Sequence, residues 1–181
     1  MNTSLSGFSA FALPGIPFIQ PGDDLVTVIL DALKRAALDL QSDDVLVIAS
    51  KIVSKSEGRI VDLNSVEPGS EALRVAELTQ KDPRVVELVL QESTHISRMA
   101  PGVLVVAHRL GFVSANAGID QSNVDGSANR VLLLPRDPDK SAAALRQRLW
   151  ESTGAQVAVV ISDTHGRPFR RGNVGVAIGV A

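Results

Sequence analysis

At 181 residues, with 45% hydrophobic and 21% charged residues and a net charge near −2, the chain can bury a proper core and is too apolar to be disordered. The near-neutral charge excludes a general basic footprint for nucleic acid, and zero cysteines exclude disulfides, thiol catalysis and thiolate zinc sites, which suits a cytoplasmic protein. No apolar run approaches a membrane span, and no basic residue precedes the apolar ones in Met1–Ala12, so neither a membrane segment nor a signal peptide is expected.

Leu13-Pro14-Gly15-Ile16-Pro17 reads as an apolar loop stiffened by two prolines. Asp23 or Asp24 then caps a helix whose Leu25, Val28, Ile29, Ala32, Leu33 and Ala36 recur at helical spacing. Val45–Ala49 is short and uniformly apolar and predicts a buried strand. A polar loop, Ser50–Lys55, follows it, and Arg59–Val61 begins another short strand. Ser70 caps a predicted helix over Glu71–Thr79, and Asp82-Pro83 opens a second over Arg84–Gln91. Val103–Ala107 predicts a strand, and His108–Gly111 a tight connection into Phe112-Val113-Ser114. The small, polar residues Ala115–Asn123 form a loop, and Val131–Leu134 a further strand. Asp139 or Ser141 starts a helix running through Leu145 and Leu149 toward Gly154, and Val157–Ile161 is a strand that ends in the polar loop Ser162–Arg171. Helix, apolar strand and polar segment ending in Gly-Arg occur twice, at 24–59 and 139–167, a pattern that suggests two related half-units but with too little identity to make a repeat. Elements mix without steady alternation and neighbouring strands look hairpin-linked, so the fold class is α+β, with mixed and antiparallel sheets and packed helices.

Three polar segments stand at strand ends, where rigid scaffolds commonly carry function. Together they supply acids (Asp120, Asp163), hydroxyls (Ser50, Thr164), amides (Asn116, Asn123) and cations (Lys51, Lys55, Arg167, Arg170, Arg171). A hard divalent cation takes oxygen ligands and shares them with phosphate, while lysines and arginines hold the remaining oxyanions. Taken singly, each residue has a plainer reading: Asp120 as a turn residue, Asp163 as a cap or a partner of Arg167, Lys51 and Lys55 as solvated cations. His95, His108 and His165 show no metal-ligand spacing, and only His165 stands near the acids. There is no Walker-type loop and no dinucleotide fingerprint. The residues by themselves point to a metal-dependent enzyme acting on phosphates or carboxylates.

Leu13–Pro17 with Pro21–Leu25, Ser50–Arg59, Ala117–Asn123 and Ser162–Pro168 together resemble the coenzyme F420-0:L-glutamate ligases, in family order and across nearly the whole chain. The resemblance implies a GTP-dependent amide ligase that joins L-glutamate to the carboxylate of coenzyme F420-0 through an acyl phosphate, some members extending a γ-linked glutamate tail. It implies Mn²⁺ or Mg²⁺, K⁺ as an aid, a homodimer, and neither nucleic acid nor membrane as partner. Carried over by motif, Asp120, Asp163 and Thr164 bind the metal, and Ser50, Lys55, Asn123 and the loop Ile16, Pro17, Phe18 and Ile19 contact GTP. Asp120, Asp163 and Lys55 are the expected catalytic groups, and Arg167, Arg170 or Arg171 the holder of a substrate carboxylate or phosphate. The chain stops at Val176–Ala181 within a predicted strand, where members of that family continue, so residues 1–181 are expected to be one domain incomplete at its C-terminus. Two alternatives stay open: a related metal- and GTP-dependent ligase for another acid, and a non-catalytic GTP- and metal-binding module.

Overall fold

Asp24 rather than Asp23 starts the first helix: its carboxylate accepts from the Val26 amide at 3.1 Å and from the Thr27 hydroxyl at 2.9 Å, opening α1 (Leu25–Arg35). Asp23 instead accepts from the Gln20 amide and shapes the turn before it. The computed structural model describes residues 7–121, 129–166 and 172–181. The α1 stripe Leu25, Val26, Ile29, Ala32 and Leu33 is buried, as its spacing demands.

β1 (Val45–Ala49) forms where expected, but it is an edge strand and not a buried one. Among the described residues it pairs only with β7 (Ala158–Gly166), in parallel, so side-chain alternation turns Ile48 inward and leaves Val45 and Val47 exposed. β8 (Asn173–Val180) completes this sheet antiparallel to β7, in the order β1-β7-β8. α5 (Pro138–Thr153) covers the sheet with α1 and begins one residue before Asp139 and three before Ser141, the two starts that the sequence predicts, because Asp137 caps it through the Lys140 amide at 3.0 Å and Pro138 fits its first turn. Gly179 of β8 passes so close to α5 that a Cβ there would lie 2.5 Å from the Pro138 carbonyl.

Two further sheets complete the fold: β2 (Ile60–Asp62) antiparallel to β6 (Arg130–Leu132), and a meander of β3 (Ser93–Ala100), β4 (Val103–His108) and β5 (Val113–Ala115). β3 was not predicted as a strand. Two register irregularities interrupt its pairing, and most of its side chains face solvent, so it shows no clean alternation. α3 (Ser70–Thr79) is capped by Gly69, placing Ser70 inside the helix, and α4 (Pro83–Gln91) is capped by Asp82, which accepts from Arg84 at 2.9 Å.

The buried apolar residues fall into two cores. One joins α1, β1, α5 and β7; the other joins α3, α4, β4, β6 and the turn at Ala117. Helices, parallel pairing and antiparallel pairing together make this an α+β fold. Phe112, just before β5, and His165 of β7 meet with ring centroids 5.0 Å apart, joining the meander to the β1-β7-β8 sheet.

Candidate active site

The polar segments after β1 and at the end of β7 are not the loops that their composition suggests. Ser50–Ser56 is a helix, α2, and β7 continues through Ser162, Asp163, Thr164, His165 and Gly166 in register with β8. The parallel register Ala49↔Ser162 brings the first residue of α2 beside Asp163. There the Ser50 hydroxyl donates to Asp163 Oδ1 at 2.6 Å. Ser50 is buried and the Asp163 side chain is 18% exposed, so this carboxylate is held at one oxygen and still reachable.

One turn along α2, Lys55 is buried, and its ammonium lies 4.0 Å from the centroid of the exposed Phe18 ring. Phe18 belongs to the predicted nucleotide loop, which is anchored at both ends: Ile16 and Ile19 pack into the first core, while Pro17 and Phe18 face outward. The Arg35 guanidinium donates to the Gly15 carbonyl at 3.0 Å, and the Gly22 amide donates to the Ser56 carbonyl at 2.9 Å. The loop is thereby tied to α1 on one side and to the end of α2 on the other.

Asp120 is set by backbone geometry. It exchanges two backbone hydrogen bonds with Leu132, at 3.0 and 2.8 Å. Just before it, Asn116, Ala117 and Gly118 all adopt left-handed conformations, with φ of 49°, 53° and 68°. For the first two this is costly backbone of the kind that gathers at functional sites. Gly118 has no such penalty, and a Cβ there would meet Leu134 Cδ1 at 2.8 Å. The Lys51 ammonium stands 3.8 Å from Asp120 Oδ2.

Asp163 and His165 share one face of β7 by strand alternation, whereas Thr164, exposed, follows on the other. Asp120, Asp163 and Thr164 all offer oxygen donors, which fits a hard divalent cation such as Mg²⁺ or Mn²⁺. Among the described residues no three of His, Asp and Glu converge on one point. Asn123, Arg167, Arg170 and Arg171 lie outside the described residues.

Sequence reading missed a second polar cluster behind the site. Glu92 accepts from Arg59 at 2.7 Å and from Arg109 at 2.9 Å. Arg59 also donates to the Leu134 carbonyl and Arg109 to the Arg136 carbonyl. Burial pulls the Glu92 carboxyl upward, but the two guanidinium groups outweigh it and hold it below its usual range. His108 lies 3.7 Å from Glu92, and burial pushes its imidazole down to about 4. Its ring stacks flat on Phe112 at 4.9 Å, and Phe112 in turn touches His165. Nothing in the local sequence around Glu92 separates it from an ordinary helix-end acid. His165, by contrast, was detectable from its position two residues after Asp163, had the strand been extended that far.

A cleft of about 280 Å³ opens elsewhere, between the start of α1, the end of α2 and α5. Its charged walls are already engaged: Asp24 with Arg148 at 2.7 Å, and Glu57 with the Ser141 hydroxyl and the Arg136 amide.

Residues 15–181 match the profile of the family described as F420-0:gamma-glutamyl ligase. The chain belongs to this family. Among its relatives is the protein named coenzyme F420:L-glutamate ligase from Methanothermobacter thermautotrophicus, 50% identical over 175 residues, covering 97% of this chain and 69% of the relative. Proteins of the same name from Methanopyrus kandleri and Halorubrum lacusprofundi are 44% and 48% identical, covering 98% and 94% of this chain and 69% and 65% of those relatives. The chain thus spans about two thirds of the length of these curated relatives. The family match takes in Ile16–Ile19, Ser50, Lys55, Asp120, Asn123, Asp163 and Thr164. No helix among the described residues is long and apolar enough to cross a membrane.

Proposed function

We propose that this chain carries out GTP-dependent ligation of L-glutamate to coenzyme F420-0 in coenzyme F420 biosynthesis, as part of a cytoplasmic homodimer aided by K⁺. Family membership supports the ligase reading. The observation that carries it into chemistry is the Ser50–Asp163 hydrogen bond, which joins the start of α2 to the end of β7 and puts a hydroxyl, a carboxylate and the buried Lys55 on adjoining elements.

A carboxylate does not condense with an amine near neutral pH, because its oxygen is a poor leaving group. In the proposed reaction, a carboxylate oxygen of coenzyme F420-0 attacks the γ-phosphorus of GTP and GDP leaves, giving an acyl phosphate. The neutral amine of L-glutamate then attacks the acyl carbon, inorganic phosphate leaves, and the amine gives up a proton as the amide forms. Asp163 and Asp120, the latter beside Lys51 of α2, would hold Mn²⁺ or Mg²⁺, which offsets phosphate charge when bound, with Thr164 a further oxygen donor from the other face of β7. The Lys55 ammonium neutralises phosphate oxygens, and its burial strengthens that attraction by excluding water. Ser50 orients Asp163 through its hydroxyl and lines the nucleotide site. Ile16–Ile19 and Asn123 contribute the rest of the nucleotide site, with Phe18 placed against Lys55. Arg167, Arg170 or Arg171 holds a substrate carboxylate or phosphate.

A coupled GDP-release assay tests this reading. With Mn²⁺ and GTP present, adding coenzyme F420-0 and L-glutamate together is expected to stimulate GDP release, and mass spectrometry is expected to show one added glutamyl unit. Stimulation by a different acid would place the chain with a related amide ligase. GTP binding without stimulated turnover by any acid would contradict ligation.

A further inference from the structure

The His165 imidazole is 4% exposed, and both its ring nitrogens are buried without a hydrogen-bond partner among the described residues. Yet its Nε2 lies only 3.1 Å from Asp163 Oδ2. At that distance an N–H aimed at the oxygen would form a strong hydrogen bond, and the pair is not so aligned. A nitrogen lone pair beside a carboxylate oxygen is mutually repulsive, and a buried polar atom without a partner calls for an explanation. A cation shared by the two atoms removes both difficulties.

The spacing suits such sharing. Two donor atoms at right angles on one ion, each about 2.1–2.2 Å from it, stand roughly 3.0 Å apart. Ser50 already occupies Asp163 Oδ1, so the oxygen turned toward His165 is Oδ2. The ring is also fixed from behind: Phe112 touches it at 5.0 Å, and Phe112 is itself stacked on His108. A ligand held this way loses little freedom on binding.

We propose that His165 is a nitrogen ligand of the divalent-cation site at Asp163. No third His, Asp or Glu converges on the pair among the described residues, so other positions on the ion fall to water and phosphate oxygens, as is usual for Mg²⁺ and Mn²⁺. An imidazole disfavours Mg²⁺, which prefers oxygen donors, and moves selectivity along the series toward Mn²⁺ and Co²⁺. The inference rests on the ligase reading only for the presence of a divalent cation at Asp163.

Pulsed electron paramagnetic resonance of Mn²⁺ added to the protein tests it directly. The expected spectrum carries the modulation of a directly bound ¹⁴N, changing to that of ¹⁵N when the protein is grown with ¹⁵N-histidine. His165→Gln and His165→Phe should both lose that coupling and lower the Mn²⁺:Mg²⁺ affinity ratio at least tenfold by calorimetry. The isotope comparison needs no variant, so it decides the matter even if both substitutions unfold the chain. Mn²⁺ that binds in an Asp163-dependent way without nitrogen coupling overturns the inference and leaves the ligase reading standing. Mn²⁺ that ignores Asp163, with and without GTP, overturns both.

Discussion

Two polar clusters face each other across a short stack of rings, His108, Phe112 and His165, and they are built on opposite terms. Around Glu92 the charges are matched: two arginines hold one carboxylate, and each arginine spends a further donor on a backbone carbonyl, although the Nε2 of the buried His108 beside them also has no hydrogen-bond partner among the described residues. Around Asp163 they are not matched. One hydroxyl holds one oxygen, a buried imidazole beside it has no aligned partner, and the ammonium of Lys55, buried on the adjoining helix, lies over the Phe18 ring with no carboxylate paired to it among the described residues. A cluster whose charges pair with one another is structural, since no charge is left to bind a ligand. A cluster that leaves buried groups wanting holds stability in reserve for whatever completes it.

Substitutions should separate the two. The largest effect is expected from Lys55→Ala, which removes a buried cation from the unsatisfied side: GTP turnover should fall about 10²–10³-fold, or roughly 3–4 kcal/mol, with the fold kept. Steady-state kinetics beside a thermal melt would measure both. On the satisfied side, Arg59→Ala strands a half-buried Glu92 with one partner and should cost about 3 kcal/mol in urea denaturation, in the range for breaking a buried pair.

A pH titration comes next in size. The His108 imidazole is pushed down to about 4, below its ordinary 6.5. Between those values the unfolded chain takes up a proton that the folded chain refuses. Stability is therefore full above about pH 6.5, falls as the pH drops toward 4, and loses nothing more from this group below that. The loss should be of order 3 kcal/mol, and His108→Phe should flatten the curve across this window. The smallest effect is expected from Asp24→Ala, which removes the α1 cap and an exposed pair with Arg148. It should cost about 1 kcal/mol, nearly all of it from the cap, because solvent screens the pair.

Much of this was legible in the residues, and the failures have physical causes. α4 declared itself through Asp82-Pro83 and a clean apolar stripe, and α1 through the same kind of signal. α2 was hidden because seven residues are too few for a periodic pattern, and its serines and lysines look like a loop. β7 was cut short for a related reason: Ser162-Asp163-Thr164-His165 is polar enough to suggest a loop, but its backbone groups find partners on β8, from Ser162↔Ala177 to Gly166↔Asn173. That shortened strand concealed the His165 alignment with Asp163. The motifs named Asp120, Asp163, Ser50 and Lys55 without help from the fold. The Glu92 cluster could not be read in advance, because Arg59, Glu92 and Arg109 come from three separate connections and meet only in the folded chain.

The contrast between the two clusters is tested most directly by measuring melting temperature and substrate-stimulated GDP release on the same two variants, Asp163→Asn and Glu92→Gln. Asp163→Asn is expected to melt with the parent protein and to lose stimulated turnover, whereas Glu92→Gln should melt several degrees lower and turn over normally at temperatures where it is folded. An Asp163→Asn protein that unfolds while Glu92→Gln melts normally and loses turnover would contradict the account.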